Sequence, residues 1–144
     1  MKILHIIQSL DPEGGPIESV LQLARIYKAN SHSIEVLSLD APDGECVKNC
    51  ALKVHAVGPG LGLYDYSNKF KPWLDAHAQH YDIFIINGIW QYHSFAARSV
   101  LKSKNLPYYL FTHGMMEPWF KHQYPLKHLK KWLYWPWGEY PVSA

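Results

Sequence analysis

The chain is poor in the features that mark secreted, membrane-spanning or nucleic-acid-binding proteins. It has two cysteines, Cys46 and Cys50, in 144 residues. A single pair cannot supply a four-ligand zinc site without histidines at suitable spacing, so reduced thiols are expected rather than a metal centre. A Cys46–Cys50 disulfide is the lesser alternative, since the chain does not look like a secreted scaffold. No apolar run approaches the ~20 residues that a bilayer demands. The opening MKILHIIQSLD is interrupted by His5 and Gln8 and closed by Asp11. It therefore lacks the apolar stretch and small-residue cleavage site of a signal peptide, and a cytoplasmic location is expected. Basic residues exceed acidic ones by only 14 − 12 = +2, too little to argue for a nucleic-acid partner. Low-complexity segments and internal repeats are missing too.

What is present is a regular alternation of two periodicities. Ile3–Ile7 reads as a buried strand. The turn Ser9–Pro16 follows, with Asp11-Pro12 and Gly14-Gly15-Pro16 inside it. Ile17, Val20, Leu21 and Ala24 then recur at helical spacing, and Pro16 suits a first helical position, where no N–H partner is needed. Strands are expected at Ile34–Leu39, Leu52–Val57, Asp82–Asn87 and Pro107–Thr112. Helices are expected at Asp43–Ala51, Asn68–His80 and Ser94–Lys104, with a last one over Leu126–Tyr134. Ile83-Phe84-Ile85-Ile86 is a continuous apolar run of the kind that a parallel strand covered on both faces requires. Strands alternating with helices imply right-handed crossovers and a parallel sheet. The expected fold is thus α/β, a Rossmann-like doubly wound sheet in a single domain spanning residues 1–144.

Such sheets bind ligands at the carboxyl ends of their strands. Four loops qualify. Asp11–Pro16 joins the first strand to the first helix, where Gly14 and Gly15 would let backbone N–H groups approach an anion or a hydroxyl. A tight turn without ligand is the competing reading. The loop is neither a dinucleotide fingerprint nor a Walker loop, since G-x-G-x-x-G and Gly-Lys-Ser/Thr are both missing. Gly58-Pro59-Gly60-Leu61-Gly62 has no helix directly behind it and reads as a flexible loop. Asn87-Gly88-Ile89-Trp90-Gln91-Tyr92-His93 closes the fourth strand. Trp90 and Tyr92 offer flat faces that suit sugar rings, and Asn87, Gln91 and His93 offer hydrogen bonds, although Trp90 could equally fill core. Thr112-His113-Gly114 closes the fifth strand and would aim His113 into the crevice, as a donor to a sugar oxygen or a proton-transfer group. The alternative is a histidine bonded to a neighbouring loop. His5, in mid-strand, reads as structural.

Together these pieces resemble the N-terminal domain of the GT-B-fold retaining glycosyltransferases of family 4. The likeness rests on Lys2–Ile7, the Gly14-Gly15 loop, Ile34–Leu39 and Phe111-Thr112-His113-Gly114. Asn87–His93 and Pro118–Tyr140 look like a group of bacterial sugar transferases that build polysaccharides. The resemblance implies two Rossmann-like domains flanking the active site, this one on the acceptor side. It implies a nucleotide-sugar co-substrate, a UDP- or GDP-sugar, no resident cofactor and no metal ligands. It implies transfer with retention to a saccharide or lipid-linked acceptor. His113 would be catalytic, meeting the transferred sugar; Gly14 and Gly15 would lie near donor phosphates or acceptor. With Asn87, Trp90, His93 and Gly114 they make the expected substrate-binding set.

The sequence stops at Ala144, where a linker to a nucleotide-sugar domain is expected. Alone, then, the chain is expected to be inactive. A non-catalytic docking module is the alternative. Leu126, Leu129 and Leu133 share one helical face among Lys127, Lys130 and Lys131, flanked by Trp132, Trp135 and Trp137. That pattern suits the inner face of a membrane as well as an ordinary packed helix. Self-association through an exposed interdomain face is the third partner expectation.

Overall fold

The computed structural model describes residues 1–14 and 16–114. Gly15 and the Leu126–Trp137 segment, with the last expected helix and the expected membrane-facing pattern, lie outside the described residues. Within them run β1 (Lys2–Ile7), α1 (Pro16–Ala29), β2 (Ser33–Ser38), α2 (Glu45–Lys48), β3 (Lys53–Ala56), α3 (Phe70–His77), β4 (Ile83–Asn87), α4 (Tyr92–Ser103) and β5 (Tyr108–Phe111). All the pairings are parallel and the strand order is β3-β2-β1-β4-β5. The order reverses at β1, so the carboxyl ends of β1 and β4 form the switch point of a doubly wound Rossmann-like sheet.

The strand period of two sorts the core into two layers. Leu4, Ile6, Leu37, Phe84 and Ile86 pack against Phe70 and Leu74 of α3 and Ala96, Ala97 and Leu101 of α4. On the opposite face Ile7 and Val36 pack against Ile17 and Val20 of α1. β1 and β4, central in the sheet, are nearly continuous apolar runs because both their faces are covered; at the margin Tyr109 of β5 stays 58% exposed. No helix among the described residues is long and apolar enough to cross a membrane.

The glycine-rich segment after β3 differs from the flexible loop expected. Leu61 and Tyr66 form an antiparallel bridge, Tyr64 O accepts from the Tyr92 N–H at the start of α4, and Gln8 donates to Asp65. Ser67 Oγ donates to Val57 O at 2.6 Å. A Cβ on Gly58 would lie 1.8 Å from Leu39 O, so this glycine serves the approach of two backbones and not that of a ligand. Through Gln8 the segment is tied to the carboxyl end of β1, and through Tyr92 to the start of α4.

Candidate functional site at the carboxyl edge

Strand parity decides which side chains meet at the switch point. His5 pairs with Ile85, and Asn87 stands two residues further along β4 on the same face. Phe111 pairs with Asn87, which sets His113 beyond the end of β5 on that face. The three polar side chains form a line. Asn87 Nδ2 lies 3.3 Å from His5 Nδ1, and Asn87 Oδ1 lies 3.0 Å from His113 Nε2. The same Nδ2 donates to Ile6 O at 3.2 Å and Ile85 O at 3.1 Å. His5 and Asn87 are buried, whereas His113 is exposed. The line thus runs from the core to the surface of the crevice.

His93, on α4, reaches back under this line. Its Nε2–H donates to Asn87 O at 2.8 Å, and the ring is fully buried. It braces the backbone of Asn87 from behind. Burial lowers the pKa of His93 to about 4, against the opposing effect of that hydrogen bond. Burial, with the nearby His113 ring second, lowers His5 to about 4 as well. Partial burial also lowers His113 from its ordinary value. All three imidazoles are therefore neutral at physiological pH. Two buried ring atoms, His5 Nε2 and His93 Nδ1, have no hydrogen-bond partner among the described residues.

The backbone turns left-handed at the same place, on two glycines that adopt it freely and on two residues, Trp90 and His113, that do not. Gly88 has φ 93°, Trp90 φ 74°, His113 φ 47° and Gly114 φ 75°. A bulky residue such as Trp90 in that region costs on the order of 1–3 kcal/mol and persists only where its surroundings enforce it. Gly88 N–H donates to Phe111 O at 2.8 Å, tying the two left-handed turns together. Trp90 itself is half-buried.

The loop after β1 has its own anchors. Asp40, following β2, accepts from Ser9 Oγ at 2.8 Å and from Leu10 N–H at 3.0 Å. Asp11 Oδ1 accepts from Glu13 N–H and starts the 3₁₀ turn Pro12–Gly14 that delivers the chain to α1. Asn87, Trp90, His113 and Gly114 thus stand at the ends of β4 and β5 and on the adjoining turns, His93 stands on α4 behind them, and Gly14 stands on the turn after β1. His5, Gln8, Asp40 and Asp65 join these turns although the strand-end pattern does not point to them. Only His5 carried a usable signal, as a polar residue on an otherwise apolar central strand.

A sheet wound in both directions, with left-handed turns and a half-buried polar line at its switch point, defines a Rossmann-like domain. The sequence profile described as "Glycosyl transferase 4-like domain" matches residues 14–143, and the chain belongs to that family. No curated protein matches it. Among solved structures it is similar to a Listeria monocytogenes protein assigned as a UDP-N-acetylglucosamine 2-epimerase, with TM-score 0.57 and 14% identity. That alignment covers 84% of this chain and 32% of the other, so the likeness is to one Rossmann-like half of a GT-B fold.

Proposed function

We propose that this chain forms the acceptor-side wall of a glycosyltransferase active site. It acts with a nucleotide-sugar-binding domain to move a sugar from a UDP- or GDP-sugar to a saccharide or lipid-linked acceptor, with retention. The observation that carries the reading is the His5–Asn87–His113 line at the switch point of a domain from this family. His113 is its exposed end and is the proposed catalytic residue, positioned to contact the reacting sugar.

In this reading Gly14, on the turn after β1, lies near donor phosphates or acceptor, and Gly15 is proposed as its partner in that contact. Asn87 and Gly114 hold and clear the space around His113, and Trp90 offers a flat face to a ring. His93 acts from behind, through the Asn87 carbonyl. Leu61 and Leu63 are exposed on the segment that leans over the same edge, which suits an acceptor with an apolar part. No cofactor is required for the role, and a cytoplasmic setting would supply the nucleotide sugar.

An assay of the 144-residue chain with UDP- and GDP-sugars and with saccharide and lipid-linked acceptors tests the proposal. Binding of sugar without multiple turnover is expected, and turnover is expected only when a donor-binding domain is supplied. Clear multiple turnover by the chain alone would overturn the half-site reading.

A further inference from the structure

A lone exposed leucine needs no explanation, but large apolar side chains gathered on one rim do. At the carboxyl edge Leu63 is fully exposed and Leu61 is 68% exposed, with Tyr64, Tyr66 and Phe95 exposed beside them. Hydrogen bonds hold the two leucines there. Leu61 N–H donates to Tyr66 O at 2.8 Å and Tyr66 N–H to Leu61 O at 3.0 Å, closing a small hairpin around Gly62-Leu63-Tyr64-Asp65. Gly62 and Asp65 take the left-handed turns, and Asp65 N–H donates back to Gly62 O at 3.2 Å. The base is fixed as well: Asp65 accepts from Gln8, and Tyr64 O accepts from Tyr92 N–H. The rings of Tyr64 and Tyr66 rest on Tyr92, with centroids 5.9 and 4.9 Å away. A loose loop would fold its leucines back onto the protein. This hairpin keeps them in solvent.

The charge around the hairpin is of one sign. Lys69 and Lys71 stand at the start of α3, and Lys71 Nζ lies 5.1 Å from the centroid of the Phe95 ring. Neither α3 nor α4 has an acidic residue in its first turn at this rim. Asp65, the acid of the hairpin itself, is engaged by Gln8. An apolar tip, aromatic rings with polar ends and a basic flank match the layers of an anionic bilayer surface, from acyl chains to headgroup phosphates. We propose that the Leu61–Tyr66 hairpin, with Lys69, Lys71 and Phe95, docks this domain on an anionic lipid surface: Leu61 and Leu63 enter the acyl boundary, the tyrosines stay at headgroup level and the lysines meet lipid phosphates. The proposal does not depend on the role of His113. It names the surface on which the crevice works, in an element separate from the basic aromatic segment Leu126–Trp137.

Sedimentation of the 144-residue chain with vesicles tests this, using phosphatidylcholine alone and phosphatidylcholine mixed with phosphatidylglycerol. The chain should pellet with the mixed vesicles, and less so as salt shortens the screening length from ~10 Å at 0.1 M to ~3 Å at 1 M. Leu61→Ser/Leu63→Ser should weaken that binding by about tenfold or more, since two leucines no longer enter the lipid. Its urea midpoint should match that of the unmodified chain, because neither side chain supports the core. Lys69→Gln/Lys71→Gln should remove the preference for phosphatidylglycerol. Leu129→Ser/Leu133→Ser, in the later segment, should leave binding in place. Three results overturn the proposal. One is a chain that ignores both kinds of vesicle. Another is undiminished binding by Leu61→Ser/Leu63→Ser, above all where Leu129→Ser/Leu133→Ser abolishes it. The third is self-association without vesicles that Leu61→Ser/Leu63→Ser removes, which would give the hairpin to a second copy of the chain.

Discussion

Two histidine-containing networks occupy opposite ends of the same sheet. At the amino end Glu35, on β2, is the hub. Lys2 Nζ lies 3.0 Å from its Oε1 and Lys53 Nζ 3.4 Å; Tyr81 OH and His55 Nε2 each lie 2.6 Å from Oε2. Burial pushes the Glu35 pKa up, but the bonds from Tyr81, His55 and Lys2 outweigh it and leave the value at about 2. Trp73 stacks on His77 and leans on His55, closing the cluster with aromatic surface. At the carboxyl end the network is neutral, leaves His5 Nε2 and His93 Nδ1 unpartnered and is flanked by left-handed turns. The first network is what a fold needs for stability: a charge whose lone pairs are met. The second holds unmet atoms and strain at the edge where this class of sheet binds ligands, and such features cost stability unless another role maintains them.

Acid is the strongest way to break the comparison. His5 and His93 have folded pKa values of about 4 against 6.5 in the unfolded chain. The unfolded chain therefore takes up their protons first, and stability present above pH 6.5 is lost as pH falls towards 4. The loss is on the order of 3 kcal/mol for each histidine at the acid limit. Glu35 acts in the same direction but lower on the scale: its contribution is intact above 4.5 and disappears as pH falls through about 2. Urea unfolding at stepped pH should show the carboxyl-end loss first and the amino-end loss only in stronger acid. A single transition governed by carboxylates alone would contradict the assignment of buried neutral histidines.

Next in size is Glu35→Leu. It leaves the Tyr81 hydroxyl and His55 without their acceptor and should lower stability by about 2 kcal/mol, less than for a fully buried pair because Lys2 and Lys53 reach solvent. The shift is read as a change in urea midpoint at constant slope, and sugar binding should survive it. Gly88→Ala acts at the other end. A Cβ at φ 93° costs about 1 kcal/mol or somewhat more, and it disturbs the turn that carries Asn87. Here binding should fall by more than the stability loss explains, which separates the two ends further.

Most of the scaffold was legible in the residues. In Ile83–Ile86, Phe84 and Ile86 pack against α3 and α4 and Ile85 is buried on the opposite face, and strand limits fall within about a residue of those read from pattern. α4 begins at Tyr92, two positions before the expected Ser94, because the Tyr92 N–H is met by Tyr64 O from a distant loop. No local signal announces that. The glycines at 58 and 60 looked like freedom, yet they allow close backbone approach to Leu39 and Asp65. His113 and Asn87 were visible as polar residues at strand ends. Their link to His5 was not, since it depends on the β1–β4 register, a pairing between segments about 80 residues apart. The Glu35 hub is hidden in the sequence for the same reason: its four partners come from three separate segments, β1, β3 and the turn before β4.

The measurement that bears most directly on the carboxyl-edge site is a paired one on His113→Ala in the active enzyme: turnover and urea midpoint from the same preparation. His113 is exposed and supports little core, so its removal should change stability by no more than about 0.5 kcal/mol, the ordinary range for a surface substitution. Turnover should fall by about 10²-fold or more, the scale of a lost acid–base or polar transition-state contact. Full activity accompanied by a large drop in midpoint would make His113 a structural residue and contradict the account.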